Sequence, residues 1–535
     1  MQRRLMALAT VLASAIALAA CGGSGGSSAS SSTSSGASSS SSAQAAGTPQ
    51  RGGNLVFART ADILTLDPAN MTDNESIWTV ENVYEPLFAA TPDGKHLQPW
   101  LATGYKLSSN HLVWTIYLRH GVRFQNGKPM TSADVKFSIQ RVSAKATNPF
   151  AFIDAAIKSI QTPNPYTVVI TTRYPWAPLL SDLALFANSV IPDNYGGESE
   201  SQFFQHPIGT GPFMVQSWQK GRQIVLVRNP YYWQAGKPYL NQVTFVDVPN
   251  DNTRELELES GQAQIDEFPP FSSISALKAN PNVRVALFPS SRVDFLEMNE
   301  DHAPFQNVYV RRAIEMALNR SAMVKAVLFG YGTVAGSFLS PALWAHDPSI
   351  TMPPYSLAAA KAQLAKSPVP HGFSTTLLVG SGVSNEQSLG QIIQADLAPI
   401  GIHVTLKPVD PNSEYTDIQN GQYDMAFNYN TTDIIDPDEM VSFGAMGGNT
   451  GQKTHALFTN YNNVAVDNWA QQAERTFNQA QRQALYDKIQ QQIAYDEPLI
   501  ALYYSPFVYA YSPKVHGFDV YPTGNYHLEN VWLSH

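Results

Sequence analysis

The sequence predicts an α/β protein built from more than one domain. Three observations carry that prediction. The chain has 535 residues, 44% hydrophobic and 11% aromatic, ample for a large core at ~100–200 residues per domain. Its N-terminal half is rich in short runs that read as strands broken by Gly and Asn turns. Its C-terminal half sets helical apolar stripes beside alternating runs, the pattern of an α/β layer.

Taken in chain order, the first element is a leader. Arg3 and Arg4 precede the apolar run "LMALATVLASAIALAA" at 5–20. That run has signal-peptide length and falls short of the ~20 residues of a membrane span. It ends in "LAAC" at 18–21, which resembles the bacterial lipobox. Cys21 is the single cysteine of the chain. It is therefore expected to become the mature N-terminus and to carry lipid, which anchors a protein to a membrane without spanning it. Residues 22–47 are Gly/Ser-rich low complexity, a flexible coil by composition. The reading is a signal peptide at 1–20, a lipidated Cys and tether at 21–50, and a folded body from Arg51.

Within the body, "GGNLVFART" reads as a strand after a glycine pair. "LVWTIYLRHGVRFQNGKPM" (112–130) reads as two strands parted by His120-Gly121, then a turn at Asn126-Gly127. "TSADVKFSIQRV" (131–142) is a helix capped by Thr131 or Ser132, and 211–230 is a hairpin about Lys220-Gly221. Val310, Ile314, Ala317 and Leu318 share a helical stripe, with Gly330 a candidate end. Ser384 and Gln387 fit a capping box; Leu389, Ile393 and Leu397 form the buried face; Gly401 closes the helix before a strand through Ile402, Val404 and Leu406. Residues 422–430 read as a strand, and one long amphipathic helix is expected over 465–496.

Composition narrows the chemistry. Only 14% of residues are charged and the net charge is −9, so no basic footprint points to nucleic acid. One cysteine excludes a Cys-rich zinc site and a CxxC redox pair. There is no HExxH, no GxSxG outside the Gly/Ser-rich tether, and Gln452 interrupts the Gly-Lys pair that a phosphate loop needs in "GNTGQKT". No metal and no cofactor is expected.

The densest acidic stretch is "NTTDIIDPDEM" at 430–440. Asp436 before Pro437, with Glu439 three residues on, reads as an N-cap, a proline in the first turn and a capping-box acid. Asp438 falls in the same turn, where negative charge suits the helix dipole. Calcium is disfavoured, since the loop lacks the Gly and the terminal Glu of an EF-type site. Asp433 is left without a structural task.

Four blocks, in order, resemble the extracellular solute-binding proteins of family 5, which serve bacterial ABC importers. They are "TLDPANMTDNESIWTVENVYEPLF" (65–88), "LQPWLATGYKLSSNHLVWTIYLRHGVRFQNGKPMTSADVKFS" (97–138), "PIGTGPFMVQSWQKGRQIVLVRNPYYW" (207–233) and "FLEMNEDHAPFQNVYVRRAIEMALNR" (295–320). The resemblance implies a two-lobed periplasmic-binding-protein-like fold with a hinge and a ligand cleft between the lobes, of the large type II, cluster C-like kind. Lobe I would be 51–290 plus a return at 500–535, and lobe II 291–499. It implies a binding protein and not an enzyme, monomeric, that captures a di- or oligopeptide and passes it to ABC permease subunits. A nickel complex, an opine or a sugar is the alternative within the class, and a secreted hydrolase the alternative outside it.

In peptide binders of that family a run similar to "DIIDP" places an Asp on the peptide's α-ammonium, and this implies Asp433. The position three residues earlier, Trp in the family, is Asn430 here beside Tyr429, and an Arg found in some oligopeptide binders is Phe427. The same resemblance makes Thr72, Asp73 and Asn74 ligand candidates, and Tyr504 and Ser505 in "LYYS". Gly209 and Gly211 are read as serving backbone geometry, and Trp114, Trp218 and Trp233 as core.

Overall fold

In the strand Asn54–Arg59, Leu55 and Phe57 alternate into one core, and Ala58 and Arg59 are buried as well because the strand is central and covered on both faces. A computed structural model of the chain describes residues 47–145, 148–447 and 454–534. The leader, Cys21, the Gly/Ser tether through residue 46 and most of "GNTGQKT" lie outside the described residues.

Asn54–Arg59 pairs in parallel with Gln242–Asp247 and Ile265–Glu267. The full seven-stranded order is Arg284–Phe288, Phe507–Tyr511, Ile265–Glu267, Asn54–Arg59, Gln242–Asp247, Gln223–Arg228 and Phe213–Gln219. Aromatic rings fill the layer behind it: Phe57 lies 5.2 Å from both Phe245 and Tyr526. A second sheet of four antiparallel strands, Ala102–Leu107, Val113–Leu118, Thr167–Thr172 and Ile157–Asn164, has its own core, which includes Trp114 and Ile116. The helix Ser132–Ala144 packs near it and starts in a capping box of Thr131 with Asp134.

The six-stranded sheet runs Thr333–Val334, Leu499–Tyr504, Val293–Met298, Met425–Asn430, Phe373–Gly380 and Ile402–Val409. Helices cover its faces. Val308–Ala317 buries Val310, Ala313, Ile314 and Ala317, and each large aliphatic so placed contributes about 1.5–3 kcal/mol of transfer free energy. Ser384–Leu397 buries Leu389, Ile393 and Leu397, and Gly401 follows at φ 85°. The chain passes from the seven-stranded to the six-stranded sheet between Phe288 and Val293, and back between Tyr504 and Phe507.

Several local expectations change. After Val113–Leu118 the chain makes only an isolated bridge, Arg123 to Pro129, in place of a second strand. The helix of Val310 ends at Ala317, well before Gly330, because Asn319 caps a new helix, Arg320–Val327. The segment 465–496 is two helices, Val464–Glu474 and Gln479–Asp496, divided where the Asn478 side chain accepts the backbone N–H of Gln481. The helix at Ser384 has Val383, not Ser384, at its cap position.

Candidate functional site

The loop 431–437 joins the strand Met425–Asn430 to the helix Asp438–Gly444. Its shape is set by its own acids and one serine. The Glu439 carboxylate accepts the backbone N–H groups of Asp433 and Ile434, both at 2.9 Å. This replaces the expected capping box, in which Glu439 would have reached back to Asp436. Asp436 accepts the N–H of Asp438 at 3.0 Å and holds Arg482 through two bonds of 2.8 and 2.9 Å. Pro437, not Asp436, occupies the cap position. Ser291 Oγ accepts the N–H of Thr432 at 3.1 Å and so ties the loop to the crossing segment 289–292.

This bonding holds the backbone of Asp433 while its carboxylate accepts no hydrogen bond from the described residues. Burial pushes that carboxyl up to about 7. It lines a small cavity, about 40 Å³, with Glu81, Glu85, Trp100, Asn525 and His527 opposite. Glu81 follows the helix Asn74–Val80, which packs against the seven-stranded sheet. One of its oxygens accepts Asn525 Nδ2 at 3.4 Å and the other is buried without a partner. Burial, with Asp433 adding repulsion, pushes Glu81 up to about 8. Two carboxylates, one from the chain before the crossing 289–292 and one from the chain after it, thus line one cavity, and among the described residues neither has an ion-pair partner.

Glu85, four residues on, stands differently. It accepts Trp100 Nε1 (2.8 Å), Thr210 Oγ1 (2.7 Å), Tyr232 Oη (3.1 Å) and Trp233 Nε1 (3.0 Å). Burial still raises it to about 7 against the pull of those donors. It is a structural acid that forms the wall of the cavity. Gly209 and Gly211 sit beside it for want of space and not for a left-handed backbone. A Cβ on Gly209 would collide with the Val83 carbonyl, and one on Gly211 would come within 2.7 Å of it.

A larger cavity, about 310 Å³, adjoins the first through Ile434, which lines both. Phe152, Tyr174, Trp176 and Asp182 come to it from the chain before the crossing at 289–292, and Asp438, Glu439, Glu474 and Arg475 from the chain after it.

Of the sequence-predicted residues, Asp433 lines a cavity; the others line neither. Thr72 is exposed. Asp73 caps the helix that carries Glu81, accepting Ser76 N–H at 2.8 Å, and Asn74 opens that helix. Asn430 donates to Met440 Sδ at 2.8 Å, which fastens the strand end to the helix. Tyr429 lies under the Arg292 guanidinium at 3.8 Å, Arg292 pairs with Asp294 at 2.6 Å, and Ser505 Oγ donates to Asp294 at 2.9 Å. Tyr504 Oη donates to the carbonyl of Ser337 and accepts its N–H, both at 2.9 Å. Sequence reasoning missed Glu81 and Asp438. The signal for Glu81 was the pair of acids four apart in "ENVYE".

The sequence profile described as "Bacterial extracellular solute-binding proteins, family 5 Middle" matches residues 96–452. The chain belongs to this family. Like its other members it is a substrate-binding protein of the kind that works with ABC importers. It is 30% identical over 500 residues to the glutathione-binding protein GsiB of Escherichia coli, spanning 90% of this chain and 94% of that one. Among solved structures it is similar to the DppA periplasmic binding protein of Helicobacter pylori in complex with the peptide STSA, at 29% identity and TM-score 0.79, covering 91% and 99% of the two chains. It is also similar to AgaA of A. tumefaciens R10 in complex with agropinic acid, at 27% identity and TM-score 0.79, covering 90% and 99%. The family 5 fold is two-lobed, which accounts for the two large sheets joined by short crossings. No helix of the described residues is long and apolar enough to cross a membrane.

Proposed function

We propose that this family 5 protein captures a di- or oligopeptide between its lobes, holds the α-ammonium on Asp433 with Glu81, and delivers it to an ABC permease. The reading rests on one observation above all: the Asp433 carboxylate and the Glu81 carboxylate, one of whose oxygens is buried without a partner, line one cavity with no cation beside them among the described residues. A buried ammonium would satisfy both through charge-assisted hydrogen bonds, which are short and directional. DppA in complex with the peptide STSA and the glutathione-binding GsiB support the peptide reading, and AgaA in complex with agropinic acid, at similar identity, supports a non-peptide solute as the second reading. Lobe I is taken as 51–290 with a C-terminal return, and lobe II as 291–499 extended to Tyr504, since Leu499–Tyr504 belongs to the six-stranded sheet. Binding with closure, and no covalent chemistry, is the whole of the mechanism. Cys21 is proposed as the lipidated mature N-terminus after loss of residues 1–20, with the protein a monomer on the outer side of a membrane.

Calorimetry against short peptides, glutathione, opines and sugars tests this. Free-amine peptides are expected to bind and their N-acetylated forms to lose roughly tenfold or more in affinity. A ligand at 100 times its Kd should add about 2.7 kcal/mol of stability. Binding of a sugar or opine with no response to any peptide would sink the peptide reading.

A further inference from the structure

The larger cavity carries chemistry that an α-ammonium on Asp433 does not use. Asp438 is 7% exposed, its Oδ1 is buried without a partner, and no described residue donates a hydrogen bond to its side chain. Glu474, 8% exposed, has no ion-pair partner among the described residues. Burial, with Glu474 and Asp436 adding repulsion, pushes Asp438 well above the usual carboxylate range, and burial raises Glu474 to about 7 despite Arg475 and Arg482. Both arginines act on Glu474 through their charge, yet among the described residues neither forms an ion pair with Asp438 or Glu474. Arg482 is held by both oxygens of Asp436, and Arg475 lies over the Tyr174 ring at 5.0 Å. The facing wall is aromatic, with Tyr174 and Trp176 fixed in part by Trp176 Nε1 donating to Asp182 at 2.6 Å.

An unpaired buried carboxylate costs several kcal/mol unless something supplies a donor. Aromatic rings beside carboxylates suit an organic cation, whose charge meets the acids and whose stem or plane lies on the rings. The described residues offer no group of three His, Cys, Asp or Glu placed to hold a metal ion. We propose that this cavity selects a solute with a cationic Lys- or Arg-like side chain, received by Asp438 and Glu474 against Tyr174 and Trp176. Because Ile434 lines both cavities, that side chain belongs to the part of the ligand next to the amine on Asp433. The inference rests on the peptide reading for that placement, and on the cavity alone for the charge.

The test compares isosteres with the intact chain. Tripeptides carrying Arg, citrulline, Lys or norleucine at each position in turn are titrated calorimetrically. At one position or more, Arg or Lys is expected to bind at least about tenfold tighter than its neutral counterpart. Asp438→Asn and Glu474→Gln should each shrink that preference while citrulline and norleucine peptides keep their affinity. Unliganded melting temperatures confirm that the variants fold, and removal of a crowded charge should raise them at pH 8. Equal affinity for charged and neutral isosteres at every position would overturn the proposal, as would a preference that survives in the double variant. If no peptide binds, the peptide reading fails separately. Free arginine against citrulline then decides the cavity: stabilisation by arginine alone supports it, and equal or absent shifts reject it.

Discussion

Asp433 and Glu81 set the first prediction, because their protonation is linked to folding and to binding in opposite senses. Their carboxyls stand at about 7 and about 8, above the ordinary ~4. The folded, unliganded protein therefore keeps protons that the unfolded chain releases between pH ~4 and ~8, so their contribution to stability is present at low pH and lost as pH rises through 7–8. The unliganded protein should melt higher at pH 5.5 than at pH 8.5, and Glu81→Gln should flatten that difference. The groups facing this pair, beside each other's charge, are Glu439 and Asn525, with Glu85, His527 and Glu529 on the same cavity. An incoming ammonium favours the ionised forms, so peptide binding near pH 6.5 should release protons. Calorimetry in two buffers of different ionisation heat reads this directly, and an observed heat independent of buffer would remove the ammonium from this pair. At the same scale, Asp433→Ala should weaken amine-bearing ligands by about 2–5 kcal/mol, with N-acetylated ligands little changed.

At the scale of elements, the loop 431–437 depends on a helix far along the chain. Asp436 pairs with Arg482 of Gln479–Asp496, and Arg482 also donates to Tyr486 Oη at 2.8 Å. Asp436→Asn leaves a buried guanidinium without its counter-charge, which costs about 3–5 kcal/mol. A lowered melting temperature is the expected result, together with weaker ligand binding, because the loop that carries Asp433 loses its anchor; unchanged binding would show that Glu439 alone sets the loop. Gly209→Ala is the matching test of the opposite wall. Crowding the Val83 carbonyl should destabilise by about 1–3 kcal/mol, seen as a lower melting temperature. These dependences explain what was legible in the sequence. Strands and helices with strong local periodicity, such as Asn54–Arg59, Val308–Ala317 and Ser384–Leu397, were read because their burial repeats within a few residues. The break at 475–478 was not, since Asn478 looks like any polar surface residue until its cap is seen. Asp433 was legible because its neighbours had other tasks. The partners of those neighbours were not: Arg482 lies 46 residues from Asp436, and Glu81 reaches the same cavity from the other lobe.

For the molecule as a whole, the cleft joins carboxylates whose charge is relieved by a proton or by a cationic ligand, and that bears on closure. Glu81 and Asp182 come from the first lobe, Asp433, Asp438 and Glu474 from the second. Without a cation, approach of the lobes brings these acids together and raises their desolvation cost. With one, the same approach becomes favourable, so the ligand biases closure through its different affinity for the open and closed arrangements. The chain crosses between the sheets through the short segments 289–292 and 505–506, where hinge bending of the kind known for binding proteins would move the lobes without disturbing either sheet. A compact chain of this size has a radius of gyration of roughly 24 Å. Small-angle scattering should show the unliganded protein above its ligand-saturated value at pH 8. The gap should narrow at pH 5.5, where protonation of the facing carboxylates removes the repulsion. A radius that falls with ligand but ignores pH would mean that contacts other than these acids govern closure, and a radius that ignores ligand would mean that the lobes do not close on it at all.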